Sequence, residues 1–477
     1  MNNKMPVRNP RTGADDYVIQ PLTESGIAEL AEKLRLAQES WYSAGIAHRC
    51  AVVKNWAHEL IAEADGVVNA LATDTGRYLV SVVEVQSLAS IVDRWCEMAP
   101  AMLADGGERP SATDGIDVRN QLIPYGLIGV ISPWNFPFLL SMLDSIPALI
   151  AGCAVLVKPS EVTPRFIEPL QKSLAANPEL ASVFSWVAGD GKTGAAMIEN
   201  VDAIAFTGSV ATGRIVAEAC ARNFIPSFLE LGGKDPAIIL PSAEPDTAAR
   251  IILRASVQAT GQACQSLERI YVHRDGHDSF VDKLVEMAEK VELNYPDMHQ
   301  GHIGPLIFEK QAEIIANHLD DAIEKGAEIR CGGRIETHGG GKWIRPTVVT
   351  NVDHSMKLMT EETFGPVIPV MAYDSIDEAV ILANDTKYGL SAAVIGADIE
   401  AADAVGRRIN AGAVSINDGG LTTEVFDAQH DSFRYSGMGA TRTGCSGIER
   451  FMRRKALLIR QVEAKGIDSM NEALIGA

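Results

Sequence analysis

The sequence lacks the signatures that would take it out of the class of large globular proteins. Its seven cysteines, Cys50, Cys96, Cys153, Cys220, Cys264, Cys331 and Cys445, are scattered, odd in number and free of any CxxC pair. That pattern excludes a disulfide framework, argues against a zinc site and fits reduced thiols in the cytoplasm. No GxSxG elbow is present, so the serines and aspartates outline no hydrolase. Basic charge is scarce: 42 Lys and Arg stand against 62 Asp and Glu, a net charge of −20. Such a balance repels phosphate backbones and anionic lipid, and excludes nucleic acid and membrane surfaces as general partners. A spanning helix needs ~20 continuous apolar residues. The one uncharged stretch, Leu122–Leu143, is broken by Pro124, Pro133, Asn135 and Pro137. The first residues hold no apolar core of a signal peptide. The histidines are scattered and suggest no metal site.

What is present is an ordinary core-forming composition over 477 residues, with 47% hydrophobic and 22% charged residues. At roughly 100–200 residues per domain, this predicts two to four structural units. Positions 22–105 read as amphipathic helix. A segment punctuated by Gly, Pro, Ser and Asp follows, over 105–117. Short apolar runs then alternate with helical stretches. The first set of runs is 126–131, 154–158, 184–187, 203–206 and 228–231. The second is 237–240, 269–273, 347–349, 367–372, 392–395 and 413–416. Strands alternating with helices predict parallel, doubly wound sheets. Two α/β units with a junction near Glu230 are expected. The final run, 453–462, reads as a strand that docks on another element.

Several residues are placed to carry chemistry. Cys264, in Gly261-Gln262-Ala263-Cys264-Gln265, follows a helical run over 248–259. A thiolate in a loop on a rigid scaffold is a strong nucleophile; a buried small hydrophobe is the plainer reading. Glu230 ends an apolar strand before Gly232 and Gly233. It is either a salt-bridged or capping carboxylate or a working one, with glycines that permit close approach. Asn135, in Pro133-Trp134-Asn135-Phe136-Pro137, caps the following helix or donates its amide to a developing oxyanion. Lys158-Pro159-Ser160-Glu161 ends a strand where ribose hydroxyls are bound in nucleotide folds. Thr207-Gly208-Ser209 forms a strand-to-helix turn whose free N–H groups attract a pyrophosphate. Glu361-Glu362-Thr363-Phe364 precedes a strand; its carboxylates are either a solvated turn or a ribose contact.

Together and in this order, PWNFP (133–137), KPSE (158–161), FTGS (206–209), ELGGK (230–234), GQxC (261–264), EETFGPV (361–367) and Asn384 with Tyr388-Gly389-Leu390 resemble the NAD(P)-dependent aldehyde dehydrogenase superfamily. The resemblance spans nearly the whole chain. It implies two doubly wound α/β domains, a Rossmann-like cofactor domain and a catalytic domain, plus a small β oligomerisation element. The cofactor domain would cover 1–107 and 126–229, the catalytic domain 230–452, and the oligomerisation element 108–125 and 453–477. The chain would form a homodimer or homotetramer and act on a small-molecule aldehyde. By the same resemblance Cys264 is the nucleophile, Asn135 an oxyanion donor and Glu230 the base that activates hydrolytic water. Trp134, Lys158, Ser160, Glu161, Gly208, Ser209, Leu231, Glu362 and Phe364 would hold the cofactor. Glu161 favours NAD, because a carboxylate repels the 2′-phosphate of NADP, the other candidate.

The sequence also departs from the family pattern. His430-Asp431-Ser432-Phe433-Arg434-Tyr435-Ser436-Gly437 replaces a glycine-rich stretch. Asp144 stands where a lysine is common, and Leu140, Leu143 and Asp144 offer no arginine for a distal carboxylate. An uncharged apolar or aromatic aldehyde is therefore the expected substrate. A semialdehyde is the alternative, followed by a CoA-acylating enzyme or a catalytically silent binding protein.

Overall fold

The computed structural model describes residues 4–104 and 107–472. The expected boundaries at 105–107 and the stretch 473–477 of the expected oligomerisation element lie partly or wholly outside them. Four helices, Glu24–Ser43, Ile46–Ala62, Asp65–Thr75 and Tyr78–Met102, form the N-terminal layer. Their apolar faces, including Leu34, Trp56, Leu71 and Leu88, are buried in one core with the first sheet.

That sheet has six strands, in the order Phe184–Trp186, Ala154–Lys158, Leu127–Ile131, Ala203–Thr207, Ser227–Glu230 and Gly437–Met438. The first five run parallel and the sixth antiparallel. Leu127–Ile131, Ala154–Lys158 and Ala203–Thr207 are buried along their whole length. Continuous apolar runs suit strands covered on both faces, which is why they do not alternate in the sequence. From Leu127–Ile131 the chain winds outward through 154–158 to 184–186, then crosses to 203–207 on the other side. The crevice at the carboxyl ends of 127–131 and 203–207 is thus the switch point where such folds bind ligands.

The second sheet has seven strands, ordered Glu328–Cys331, Thr347–Thr350, Val367–Tyr373, Leu267–His273, Asp235–Ile239, Ser391–Ile395 and Ala413–Ile416. Its pairings are parallel except for the edge strand Glu328–Cys331. Side chains alternate between its two cores: Ala237 and Ile239 face one, Ile238 and Leu240 the other. The first sheet's strand ends at Glu230 and the second sheet's opening strand begins at Asp235. Carboxyl ends of the first sheet therefore meet amino ends of the second, where the loops before 267 and 367 lie.

A third sheet of three antiparallel strands pairs Met452–Arg460 with Ile116–Pro124, and that with Glu108–Pro110. Among the described residues no helix is long and apolar enough to cross a membrane. The same residues hold no group of three or more His, Cys, Asp or Glu suited to a metal ion.

Three sequence expectations need correction. The segment 437–452, assigned to the second unit, returns to the first: Gly437 pairs with Glu230 and Met438 with Leu229. Ile448 and Phe451 are buried in the first core. Isolated apolar residues in a polar stretch carry no periodic signal, so this return is invisible in the sequence. The helix expected over 248–259 is Pro245–Val257. Ala259 and Thr260 turn left-handed instead, at φ 54° and 63°. The edge strand Glu328–Cys331 escaped the apolar-run criterion because it is half exposed.

Phe138, fully buried and edge-to-face with Phe166 at 6.2 Å, joins the helix Pro137–Ala151 to its neighbours. Phe138→Ala should cost ~3–5 kcal/mol, read as a lowered urea midpoint. A change under ~1 kcal/mol would contradict this packing.

Candidate active site

Cys264 is presented by a loop with three consecutive left-handed residues, Ala259, Thr260 and Gly261. At Gly261 a Cβ would lie 2.4 Å from the Gly365 carbonyl group, so only glycine fits. Ala and Thr resist this conformation and need the surroundings to hold them there. Thr260 is held by two hydrogen bonds: its hydroxyl donates to Gly304 O at 3.1 Å and accepts from Gly304 N at 3.0 Å. The buried Gln262 side chain donates to Pro305 O at 3.1 Å and accepts from Ile307 N at 2.9 Å. Buried Arg77 ties two loops together, donating to Ala259 O at 3.0 Å and to the backbone carbonyl of Asn135.

Asn135 Nδ2 donates to the Gln262 carbonyl at 2.9 Å, which fixes the amide two residues before Cys264. It does not cap the helix Pro137–Ala151. The Glu84 carboxylate does, accepting from Phe138 N at 3.2 Å and Leu139 N at 3.0 Å. Of the two sequence readings of Asn135, helix capping is thereby excluded. The Cys264 thiol is pushed up to about 12 by burial, with Glu362, Asp235 and Glu230 adding to the rise and Arg442 opposing it.

Glu230 forms no ion pair within 4 Å among the described residues. Its two oxygens accept from the Ser432 hydroxyl at 2.7 Å and the Thr441 hydroxyl at 3.3 Å. The altered loop 430–437 thus supplies a direct partner to Glu230. Gly233 makes the link to the thiol loop: a Cβ there would stand 2.7 Å from the Cys264 carbonyl.

On the cofactor side, Lys158 is buried and its Nζ donates to Gly189 O at 2.8 Å and Pro159 O at 3.1 Å. Glu161 Oε2 lies 3.6 Å from the same Nζ. The Ser160 hydroxyl turns back to accept from Val162 N at 3.2 Å. Ser209 caps the helix Val210–Arg222, accepting from Thr212 N at 3.2 Å. The N–H groups of Val210 and Ala211, in the first turn, have no carbonyl within their own helix to bond. With Ser209, Arg214 and Glu362 these residues line a cleft of about 760 Å³ between that helix and the helix Glu309–Glu324. Gly208 N donates to Glu230 O at 3.1 Å. Leu231 packs so closely on Gly213 that a Cβ would stand 2.5 Å from its side chain. Open amides, a helix N-terminus and an arginine at one cleft fit a dinucleotide's pyrophosphate.

Glu362 accepts from Gly233 N at 3.1 Å and covers Gly232. Burial pushes its carboxyl up to about 8, with Glu268 adding to the rise. The loop holding Glu362 and Phe364 is built on a buried ion pair, Lys234 Nζ to Glu268 Oε2 at 2.6 Å. Glu268 also accepts from Thr363 N at 2.8 Å and Phe364 N at 2.7 Å. Phe364 meets the Trp134 ring edge-to-face at 5.3 Å.

Arg77, Glu84, Glu268 and Arg442 are not marked by any motif in the sequence. A charged residue inside an apolar pattern was their only signal. The strand-to-helix turn at 206–213 lacks GxGxxG, and the expectation that the pattern is absent is corrected by Gly189–Gly194, which reads GDGKTG. Its helix N-terminus is occupied by the Asp190 carboxylate, which accepts from Lys192 N and Thr193 N.

The chain matches the model of the aldehyde dehydrogenase family over residues 1–457. It is similar to a putative aldehyde dehydrogenase, PutA, from Anabaena variabilis: 49% identity, TM-score 0.95, covering 97% of this chain and 99% of that one. It is 34% identical to a putative succinate-semialdehyde dehydrogenase [NADP(+)] of Mycolicibacterium smegmatis, over 94% of this chain and 87% of the relative. A betaine aldehyde dehydrogenase of Staphylococcus aureus, solved in complex with NAD+, superposes with a TM-score of 0.89 at 27% identity, over 97% and 93% of the two chains. Match and architecture agree over nearly the full length, and the chain belongs to the aldehyde dehydrogenase family.

Proposed function

We propose that the protein oxidises an aldehyde to its carboxylic acid with NAD, through a covalent intermediate on Cys264. The observation that carries this reading is the hydrogen bond from Asn135 to Gln262, which brings an amide donor to the cysteine loop. Cys264, as thiolate, attacks the carbonyl carbon; a C–S bond forms and the carbonyl π pair moves to oxygen. Asn135 Nδ2 has a second N–H for that oxygen, joined by the Cys264 N–H. Bound NAD supplies the acceptor for the hydride that leaves the same carbon, and Cys264 is left carrying a thioester. Glu230 then takes a proton from water as the water oxygen attacks. The C–S bond breaks and sulfur departs as thiolate. Splitting the oxidation this way replaces one hard step by two easier ones.

Lys158, Glu161 and Glu362 hold ribose hydroxyls, with Ser160 shaping the turn between the first two. Gly208, Ser209 and Trp134 border the pyrophosphate, and Leu231 and Phe364 border the nicotinamide end. The carboxylate of Glu161 favours NAD over NADP. The free thiols fit the reducing cytoplasm. The exposed edge strand Met452–Arg460, with Leu457 and Leu458 uncovered, suits a homodimer or homotetramer.

An uncharged apolar or aromatic aldehyde suits the half-buried Leu139, Leu140 and Phe426. One observation favours a semialdehyde instead. The Arg94 guanidinium sits 4.7 Å over the Phe426 ring and makes no hydrogen bond or ion pair among the described residues. The Asp427 carboxylate acts on it only from beyond ion-pair distance, which leaves its N–H donors open to a substrate carboxylate.

With NAD or NADP, an aldehyde panel and no coenzyme A, absorbance of the reduced cofactor should rise, faster with NAD. Asn135→Ala should lower kcat ~100-fold or more while staying folded, for a loss of ~3 kcal/mol. No turnover on any aldehyde, with NAD bound, contradicts the reading. Arg94→Ala should leave kcat/KM for an aliphatic aldehyde unchanged. A loss of ~10-fold or more for succinate semialdehyde alone selects the second reading, since hydrogen bonds between charged groups contribute ~1.5–3 kcal/mol. Leu458→Glu should shift the sedimentation profile toward monomer; a wild type that sediments as monomer at micromolar concentration contradicts the assembly.

A further inference from the structure

Two arginines converge on one aspartate beside the site. Arg450 Nη2 lies 2.5 Å from Asp144 Oδ1, and Arg442 Nη2 lies 3.3 Å from Asp144 Oδ2. The side chains of Asp144 and Arg450 are 1% exposed and that of Arg442 is 12% exposed. Two guanidiniums against one carboxylate leave an unbalanced positive charge in a dry place. Such a charge is costly unless another anion faces it.

The geometry points that charge at the reacting groups. Arg442 donates to the Thr207 hydroxyl. Thr207 is the register partner of Glu230 across adjacent parallel strands. The preceding residue, Thr441, donates to Glu230 itself. Arg442 Nε is buried with no partner. Burial opposes the charge on Arg442, but Asp144, Glu230 and Cys264 outweigh it and raise the guanidinium's proton affinity. Of the groups acting most on Cys264, Glu362, Asp235 and Glu230 oppose the thiolate, and Arg442 favours it. Arg450 stands farther back, stacked on Phe228 and Phe451 at 5.6 and 4.7 Å.

We propose that Arg442, aimed by Asp144 and Thr207, is a positioning residue whose positive charge, held beside the strand that carries Glu230, favours the thiolate of Cys264. No bond is made or broken at Arg442. It acts through its charge on the proton balance of Cys264. The cation comes from the returning segment and is held by the acid at 144 of the helix Pro137–Ala151. This rests on Cys264 being the nucleophile.

The test is the pH dependence of Cys264 alkylation by iodoacetamide in the full-length protein, read by mass spectrometry of the Cys264 peptide. Arg442→Met should slow alkylation about tenfold at a pH below the thiol midpoint, equivalent to one pH unit upward. Arg442→Lys, which keeps the charge, should recover most of the rate. A purely structural role would leave the pH profile in place. Should Arg442→Met fail to fold, Arg442→Gln, neutral but polar, carries the same expectation. A folded neutral variant with the wild-type profile overturns the proposal. The readout needs no aldehyde, so a wild type without turnover contradicts the proposed function and leaves the alkylation difference standing.

Discussion

The chain from Ala259 to Gly261 runs left-handed through an alanine and a threonine, and the site depends on that course being held. Each such residue costs on the order of 1–3 kcal/mol locally. The cost is met by groups from three other segments: Arg77, Asn135 and the Gly304–Ile307 stretch all bond the loop. A loop fixed from so many sides has little freedom to relax. Its last residues therefore present Cys264 at one place, against Gly233 on the crossing between the two sheets. Pre-organisation of this kind stabilises a transition state without reorganisation during reaction.

Opposite strand ends of the two sheets meet at the site. The first sheet contributes its carboxyl ends, with Asn135, Lys158, Gly208 and Glu230 just beyond them. The second contributes loops that enter its amino ends, with Cys264, Glu362 and Phe364. Neither sheet alone holds a complete set. The site also concentrates charge that water does not screen. Glu362, Glu84 and Asp235 are carboxyls pushed up to about 7 or 8 by burial. Arg77 and the Asp144 cluster supply compensating cations, so the local field is set by residues well outside the named motifs.

The architecture was legible because parallel strands write themselves as apolar runs, and the eleven runs read from the sequence correspond to strands. The motifs located Cys264, Glu230 and Asn135, whose loops the fold brings together. What stayed hidden depended on distance in the chain. Gly437–Phe451 carries no periodicity, so its return to the first sheet could not be read. Arg442 and Asp144 are 298 positions apart, and nothing local marks them as partners. The missing arginine near Leu140 was a correct reading of one helix. It left out what other elements bring to that helix, such as Arg442, which pairs with Asp144 from the returning segment. Glu84 capping a helix 54 positions away is the same lesson in another place.

The central claim is that a carbonyl carbon becomes bonded to the sulfur of Cys264. The most direct measurement uses Glu230→Gln, in which the water-activating carboxylate is gone. Mixed with NAD and an aldehyde and quenched in acid, that variant should show the Cys264 peptide heavier by the acyl group, in step with one equivalent of reduced cofactor. Reduced cofactor without acylation of Cys264, or acyl mass on another residue, would contradict the account.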